Sequence, residues 1–207
     1  MSFPRTPPRS SLVAHATVPR IAVFGSSRSS RPIRHLRNPS ASGSPLAFLV
    51  AGHRNGRIQV KLPTRPNGST GWVDGGDLAL AVDPYHLDID LTHHRLKLTR
   101  SASVVQRHRI GVGRSLTPTP SGVYYVTALL RLTDPAGAYG PYAFATSAHS
   151  TVLNEFEGGD GRVGIHGTNE PWAIGDDISH GCIRLTNKAI TRLAKVVPLG
   201  TPVTIHR

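Results

Sequence analysis

Apolar and polar residues alternate over residues 85–98. Tyr85, Leu87, Ile89 and Leu91 fall on one side and His86, Asp88 and Asp90 on the other. After Thr92-His93-His94 the pattern resumes at Leu96 and Leu98. A period of two broken by a short polar turn predicts an antiparallel hairpin with one buried face. Val104-Val105 and Ile110-Gly111-Val112 supply a further strand, and Val123-Tyr124-Tyr125-Val126 another after the Pro120-Ser121-Gly122 turn. Near the end the period changes: Leu185, Ala189, Ile190, Leu193, Ala194 and Val197 recur at helical spacing. Thr186 or Asn187 is placed to cap that helix and Pro198 with Gly200 to stop it, so a helix over 187–197 should cover the sheet. A last strand, Thr201 to His206, completes the pattern.

Upstream the apolar runs are shorter. Ile21-Ala22-Val23-Phe24, Leu46-Ala47-Phe48-Leu49-Val50, Ile58-Gln59-Val60-Lys61-Leu62 and Gly71-Trp72-Val73 are each bounded by Gly, Pro, Asn or Ser. They read as strands joined by turns. Residues 1–17 mix Ser, Pro, Arg and small residues with little to bury and read as a disordered tail. Three parts follow: a tail over 1–17, a small β unit over 18–82 and a larger β unit over 83–207.

Composition supports this division. With 38% apolar and 17% charged residues in 207, the chain can bury a core. Gly 21 and Pro 17, with few aromatics, suit many turns between short strands better than a helix bundle. Lys plus Arg number 24 against 12 acidic residues, a formal net charge of +12. Such a chain is drawn to polyanions, but no nucleic-acid module or aromatic stacking platform accompanies the charge, so specific nucleic-acid binding is not expected. No stretch approaches the about 18 apolar residues of a transmembrane helix. Met1 to Arg20 contain four prolines and no apolar run of signal-peptide length, so no signal peptide is visible in the chain as given.

The candidate chemistry centres on one thiol. Cys182, the only cysteine, stands in Ser179-His180-Gly181-Cys182-Ile183-Arg184-Leu185, downstream of Gly164-Ile165-His166-Gly167-Thr168-Asn169. A lone thiol forms no intramolecular disulfide, which leaves a buried small hydrophobe, a metal ligand or a nucleophile. A free thiol has a pKa of about 8.5 and needs a base or a positive field to react at neutral pH; His166 is the natural base. A core cysteine has no use for two His-Gly dipeptides, so the nucleophile is preferred.

The segments Ile165-His166-Gly167-Thr168 and Ser179-His180-Gly181-Cys182-Ile183-Arg184 resemble the signature of the L,D-transpeptidase (YkuD-type) catalytic domain. Gly111-Val112-Gly113-Arg114 and Thr117-Pro118-Thr119-Pro120-Ser121-Gly122 resemble its turn-rich strand connection, and the likeness extends over about residues 84–207. Many members have a small polar residue two places after the cysteine, where this chain has Arg184. Residues 18–82 resemble a bacterial SH3-like domain, with Gly71-Trp72-Val73 and Asp77-Leu78 in place of its closing strand. The implied fold is mainly β: an L,D-transpeptidase-type β-sandwich with one covering helix, preceded by a small SH3-like β-barrel.

The resemblance also implies a function. Cys182 would attack a stem peptide of peptidoglycan to form a thioester, with His166 as general base and the carbonyl of Gly167 orienting the imidazole. A neighbouring stem's amine would then release a 3→3 cross-link. Amides of Gly181 and Cys182 would meet the oxyanion. Ser179, His180 and Arg184 would line the substrate pocket, with Arg184 meeting a substrate carboxylate or holding a structural ion pair. Trp172 and Tyr142 would wall the cleft or sit in the core. No metal or cofactor is implied. The expected partners are stem peptides and anionic wall polymers, at an extracytoplasmic location on the cell-wall or periplasmic side. Three other readings are open: an L,D-carboxypeptidase with water as acceptor, a non-catalytic wall-binding protein, and a zinc site using His166, His180 and Cys182.

Overall fold

The computed structural model describes residue 7, residues 9–156 and residues 158–207. In chain order the first strands are β1 (Ser11–Ala16), β2 (Arg20–Val23), β3 (Arg34–Arg37), β4 (Ala47–Arg54), β5 (Arg57–Lys61), β6 (Thr70–Asp74) and β7 (Leu78–Asp83). Next come β8 (Tyr85–Asp90), β9 (Arg95–Arg100), β10 (Ser103–Arg109), β11 (Val112–Gly113), β12 (Gly122–Arg131) and β13 (Tyr142–His149). The chain ends with β14 (Arg162–His166), β15 (Asp177–Ser179), β16 (Ile183–Arg184), α1 (Asn187–Ala194) and β17 (Pro202–His206). The fold is mainly β, with α1 lying on β13 and β14. No helix of the described residues is long and apolar enough to cross a membrane.

The N-terminal strands form a five-stranded sheet in the order β6-β5-β4-β1-β7, accompanied by the β2–β3 hairpin. Ala14, Ile21, Val23, Phe48, Ile58, Val60 and Val73 are all fully buried in its core. The expected tail is corrected here. Ser11–Ala16 is an interior strand, paired with β4 through Val13↔Leu49 and with β7 through Leu12↔Val82 to Ala16↔Leu78. Its brief Leu-Val-Ala run gains two hydrogen-bonded neighbours and buries Val13 and Ala14, which offsets the ordering cost that the flanking composition suggested. Residues 1–6 and 8 of that expected tail lie outside the described residues.

The larger sheet has the order β10-β9-β8-β17-β12-β13-β14-β16. Its β8–β9 hairpin pairs Leu87 with Leu98 and Ile89 with Leu96, all four fully buried. The opposite face pairs Asp88 with Lys97 and Asp90 with Arg95, so cross-strand charges are complementary. At about 1.5–3 kcal/mol for each buried Leu or Ile, this hairpin register is fixed by its apolar face, since a one-residue slip would expose all four. The segment read as one further strand divides: β10 pairs with β9, whereas β11 pairs in parallel with β15.

Helix α1 is capped by Thr186, whose Oγ1 accepts from the amide of Ala189 at 3.3 Å. It buries Ala189, Ile190 and Leu193. It ends at Ala194, three residues before the spacing suggests: the amide of Val196 makes a tighter i→i−3 bond to the Leu193 carbonyl at 3.0 Å, and Pro198 has no amide to carry the ladder past the single i→i−4 bond of Val197. Val197 still reaches the core, which is why it keeps the helical spacing.

Candidate active site

Two adjacent strands bring the two motifs together. β14 ends on His166, and β16 runs parallel beside it with Ile165 opposite Ile183 and His166 opposite Arg184. Ile165 and Ile183 are fully buried and anchor the pair from below. Cys182, just ahead of β16, receives the amide of Gly164 on Sγ at 3.4 Å. A β-carbon placed on Gly164 would lie 3.7 Å from His166 Cδ2 and 3.8 Å from Cys182 Sγ, so imidazole and thiol flank the same glycine.

His166 is 3% exposed, and its Nδ1 lies 2.6 Å from the carbonyl of Gly167. A carbonyl only accepts, so Nδ1 carries the hydrogen, and in the neutral ring Nε2 keeps its lone pair. The ring of Tyr139 leans on this imidazole with centroids 4.6 Å apart. Gly167 itself has no room for a side chain: a β-carbon there would come 2.3 Å from Asn187 Oδ1 and 3.0 Å from Gly140 Cα. Asn187 Oδ1 also accepts from the amide of Thr168 at 2.9 Å, which ties the chain after the histidine to the start of α1.

The turn carrying the thiol is held from inside. Ser179 Oγ donates to the carbonyl of Cys182 at 2.6 Å and accepts from the amide of Gly181 at 3.0 Å. Gly181 has φ +122°, a conformation that an L side chain rarely adopts. From behind, Thr119 Oγ1 donates to the carbonyl of Gly181 and accepts from the amide of Gly113, both at 2.9 Å. The amide of Arg114 reaches the carbonyl of Ser179 at 3.0 Å.

Ser179, His180, Gly181, Cys182, Arg184 and His166 line one cleft of about 170 Å³. Its other walls are Tyr139 and the loop between β13 and β14, through Ser150, Leu153, Phe156 and Gly161. Phe156 stacks against His180 with centroids 5.3 Å apart. Arg184 Nη1 is paired with Glu170 Oε2 at 2.7 Å, while its buried Nε has no hydrogen-bond partner.

Other residues near the two motifs lie away from the cleft or are engaged elsewhere. Trp172 is 78% exposed on a single 3-10 turn and does not line the cleft. Tyr142 packs against the core and contributes its carbonyl, which accepts from Gly167 at 3.3 Å. The amide of Gly181, expected at the oxyanion, is bonded to Ser179 Oγ. Asp177, a neighbouring carboxylate, pairs with His94 at 2.8 Å. Among the described residues no group of three or more His, Cys, Asp and Glu is placed to hold a metal ion. The sequence did not reveal Phe156, Asn187 or Glu170 as site residues, because each acts through a side-chain contact with a segment distant in the chain: Phe156 with His180, Asn187 with Thr168 and Glu170 with Arg184; Asn187 carried only a capping signal.

Among known proteins the chain is similar in sequence to L,D-transpeptidases. The family profile described as YkuD, L,D-transpeptidase catalytic domain, matches residues 84–205. A Bacillus subtilis (strain 168) protein bearing the L,D-transpeptidase YkuD name is 38% identical over 124 residues, 60% of this chain and 67% of that protein. Its namesake in Bacillus licheniformis is 32% identical over 170 residues, 79% of this chain and 94% of that protein. Among solved structures, an L,D-transpeptidase from Mycobacterium smegmatis is 17% identical, with 79% of this chain and 90% of that chain covered at a TM-score of 0.47.

Proposed function

Because the chain belongs to the L,D-transpeptidase (YkuD) family, we propose that it forms 3→3 cross-links between peptidoglycan stem peptides through a thioester on Cys182. The observation that carries this reading is the 2.6 Å contact from His166 Nδ1 to the Gly167 carbonyl beside a thiol that flanks the same glycine. It leaves the imidazole in the tautomer whose Nε2 can accept a proton.

In this reading Nε2 takes the thiol proton as Sγ attacks the carbonyl carbon between the third and fourth residues of the donor stem. The resulting oxyanion is assigned to the amide of Cys182, since that of Gly181 is committed to Ser179. The tetrahedral carbon collapses, the C–N bond breaks, and the imidazolium returns its proton to the departing D-Ala amine. A side-chain amine of a second stem then attacks the thioester, loses a proton to His166, and expels the Cys182 thiolate, which recovers the proton. Arg184 is assigned to a stem carboxylate, its buried Nε being the unspent donor.

The same reading places the chain outside the cytoplasm, on the cell-wall or periplasmic side, where anionic wall polymers meet its basic surface. It divides the chain at residues 82 and 83 and treats the N-terminal sheet as an SH3-like module. The test is a reaction with a disaccharide tetrapeptide. Release of D-Ala with a cross-linked dimer, both lost in Cys182→Ala, supports transpeptidation; release of D-Ala with tripeptide alone shows water as the acceptor instead.

A further inference from the structure

Within itself the loop that walls the cleft is held by the amide of Ser150 on the Gly161 carbonyl at 2.8 Å and by Ser150 Oγ, which accepts from the amides of Val152 and Leu153 at 3.2 and 3.0 Å. It leaves β13 at His149, returns at Arg162, and among its described residues contains no regular element beyond an isolated bridge between Phe156 and Gly159. Yet Ser150, Leu153, Phe156 and Gly161 from it shape the space beside Cys182. Its main anchor comes from the N-terminal sheet. Arg65, in the turn after β5, donates Nη1 to the carbonyl of Ser150 at 2.7 Å and Nη2 to those of Leu153 at 2.8 Å and Asp160 at 3.0 Å.

One guanidinium thus gathers three carbonyls from both ends and the middle of the loop. Beside it, Asn67 pairs with the backbone of His149 as a strand would: its Oδ1 accepts from the amide at 2.9 Å and its Nδ2 donates to the carbonyl at 2.7 Å. Gly161 passes Arg65 with φ +70°, and a β-carbon there would come 2.9 Å from Arg65 Nη2 and 2.3 Å from the Leu153 carbonyl. His149 and Arg162 both bind Asp160 Oδ2, at 3.0 and 3.1 Å, which closes the base of the loop.

We propose that Arg65, with Asn67, is a positioning residue for stem-peptide binding: the N-terminal sheet sets the shape of the cleft wall, and the catalytic strands alone do not. The inference rests on the substrate reading above for its ligand, but not for its geometry. A planar fork with donors on two terminal nitrogens meets three acceptors at once; a lysine ammonium at the same place cannot reach all of them. Because His166 ends β14 and Cys182 immediately precedes β16, loss of Arg65 should weaken binding while leaving the chemical step nearly intact.

The experiment uses the full chain with Arg65→Ala and Arg65→Lys, the latter guarding against misfolding of the former. Hydrogen exchange across residues 150–161 is read alongside KM and kcat for the disaccharide tetrapeptide. Affinity of the same compound for Cys182→Ala with and without Arg65 is measured by calorimetry. The expected result is faster exchange confined to that loop, a rise of about tenfold in KM and Kd, and kcat within about twofold, with Lys giving little rescue. Unchanged exchange in the loop, or faster exchange with unchanged KM and Kd, overturns the proposal. If the parent protein neither turns over nor binds the compound, the substrate reading fails instead, and loop exchange alone decides whether Arg65 sets the wall.

Discussion

The hydroxyl of Thr119 bridges two glycine backbones, donating to the carbonyl of Gly181 and accepting from the amide of Gly113, each at 2.9 Å. Thr119 is 3% exposed, so without its hydroxyl the buried Gly181 carbonyl and the half-buried Gly113 amide would both lose this partner. Thr119→Val keeps the shape and removes the bridge. It should cost about 1–3 kcal/mol in urea unfolding and lower the rate of Cys182 acylation, because the turn carrying the thiol loses its support from behind. A loss below about 0.5 kcal/mol with unchanged acylation would mean that the turn is held without it.

Gly167 is predicted to tolerate no side chain. Alanine there must displace Asn187 or Gly140, and either shift moves the carbonyl that orients His166. Gly167→Ala should lose about 1–3 kcal/mol of stability and at least about tenfold in kcat. Thermal unfolding and steady-state rates check this together, since wild-type activity in a stable variant would detach the Gly167 carbonyl from catalysis.

The Arg184–Glu170 pair allows substrate binding to be separated from structure. With Glu170 open to solvent, which screens the pair although Arg184 is half-buried, it contributes at most about 1 kcal/mol to stability. If Arg184 meets a stem carboxylate, Arg184→Met raises KM several-fold while Glu170→Gln leaves KM unchanged or lower. Equal rises in the two variants would assign Arg184 to the ion pair alone.

Stability should fall on mild acidification. Burial holds His15, His86, His108 and His149 below the ordinary histidine value of 6.5, with the neighbouring Asp83, Asp88 and Asp160 opposing this at three of them. A depressed histidine pKa means that the unfolded chain binds more protons between the folded value and 6.5. Stability is therefore greatest above about pH 6.5 and declines as pH falls through that window. Between about pH 7.5 and 5.5 the Tm should drop by several degrees, and His149→Gln should reduce that slope. A flat Tm over this range would contradict the linkage.

Much of the catalytic half was legible because its signals are local. Leu87, Ile89, Leu96 and Leu98 alternate and pair as alternation requires, and Thr186 caps the helix its spacing announces. The motifs around His166 and Cys182 are dense in unusual residue types, so their meeting could be read from the resemblance. What the sequence hid is non-local. Ser11–Ala16 looks like tail until β4 and β7 close on either side of it. Arg65 lies 85 positions from the first carbonyl it binds, and nothing in its neighbourhood marks it. For Trp172 and Tyr142 the sequence left cleft wall and core both open, because an aromatic near a motif gives no sign of where its side chain points; Tyr142 packs on the core and Trp172 is exposed.

The most direct test of the central claim is the intact mass of the protein mixed with a diaminopimelate-containing disaccharide tetrapeptide, beside Cys182→Ala and His166→Gln. The expected result is an acyl adduct equal to the stem less D-Ala on the parent chain, none on Cys182→Ala, and formation slowed by about 10²–10⁴ in His166→Gln. An adduct that persists without Cys182, or D-Ala release at the parent rate without His166, would contradict it.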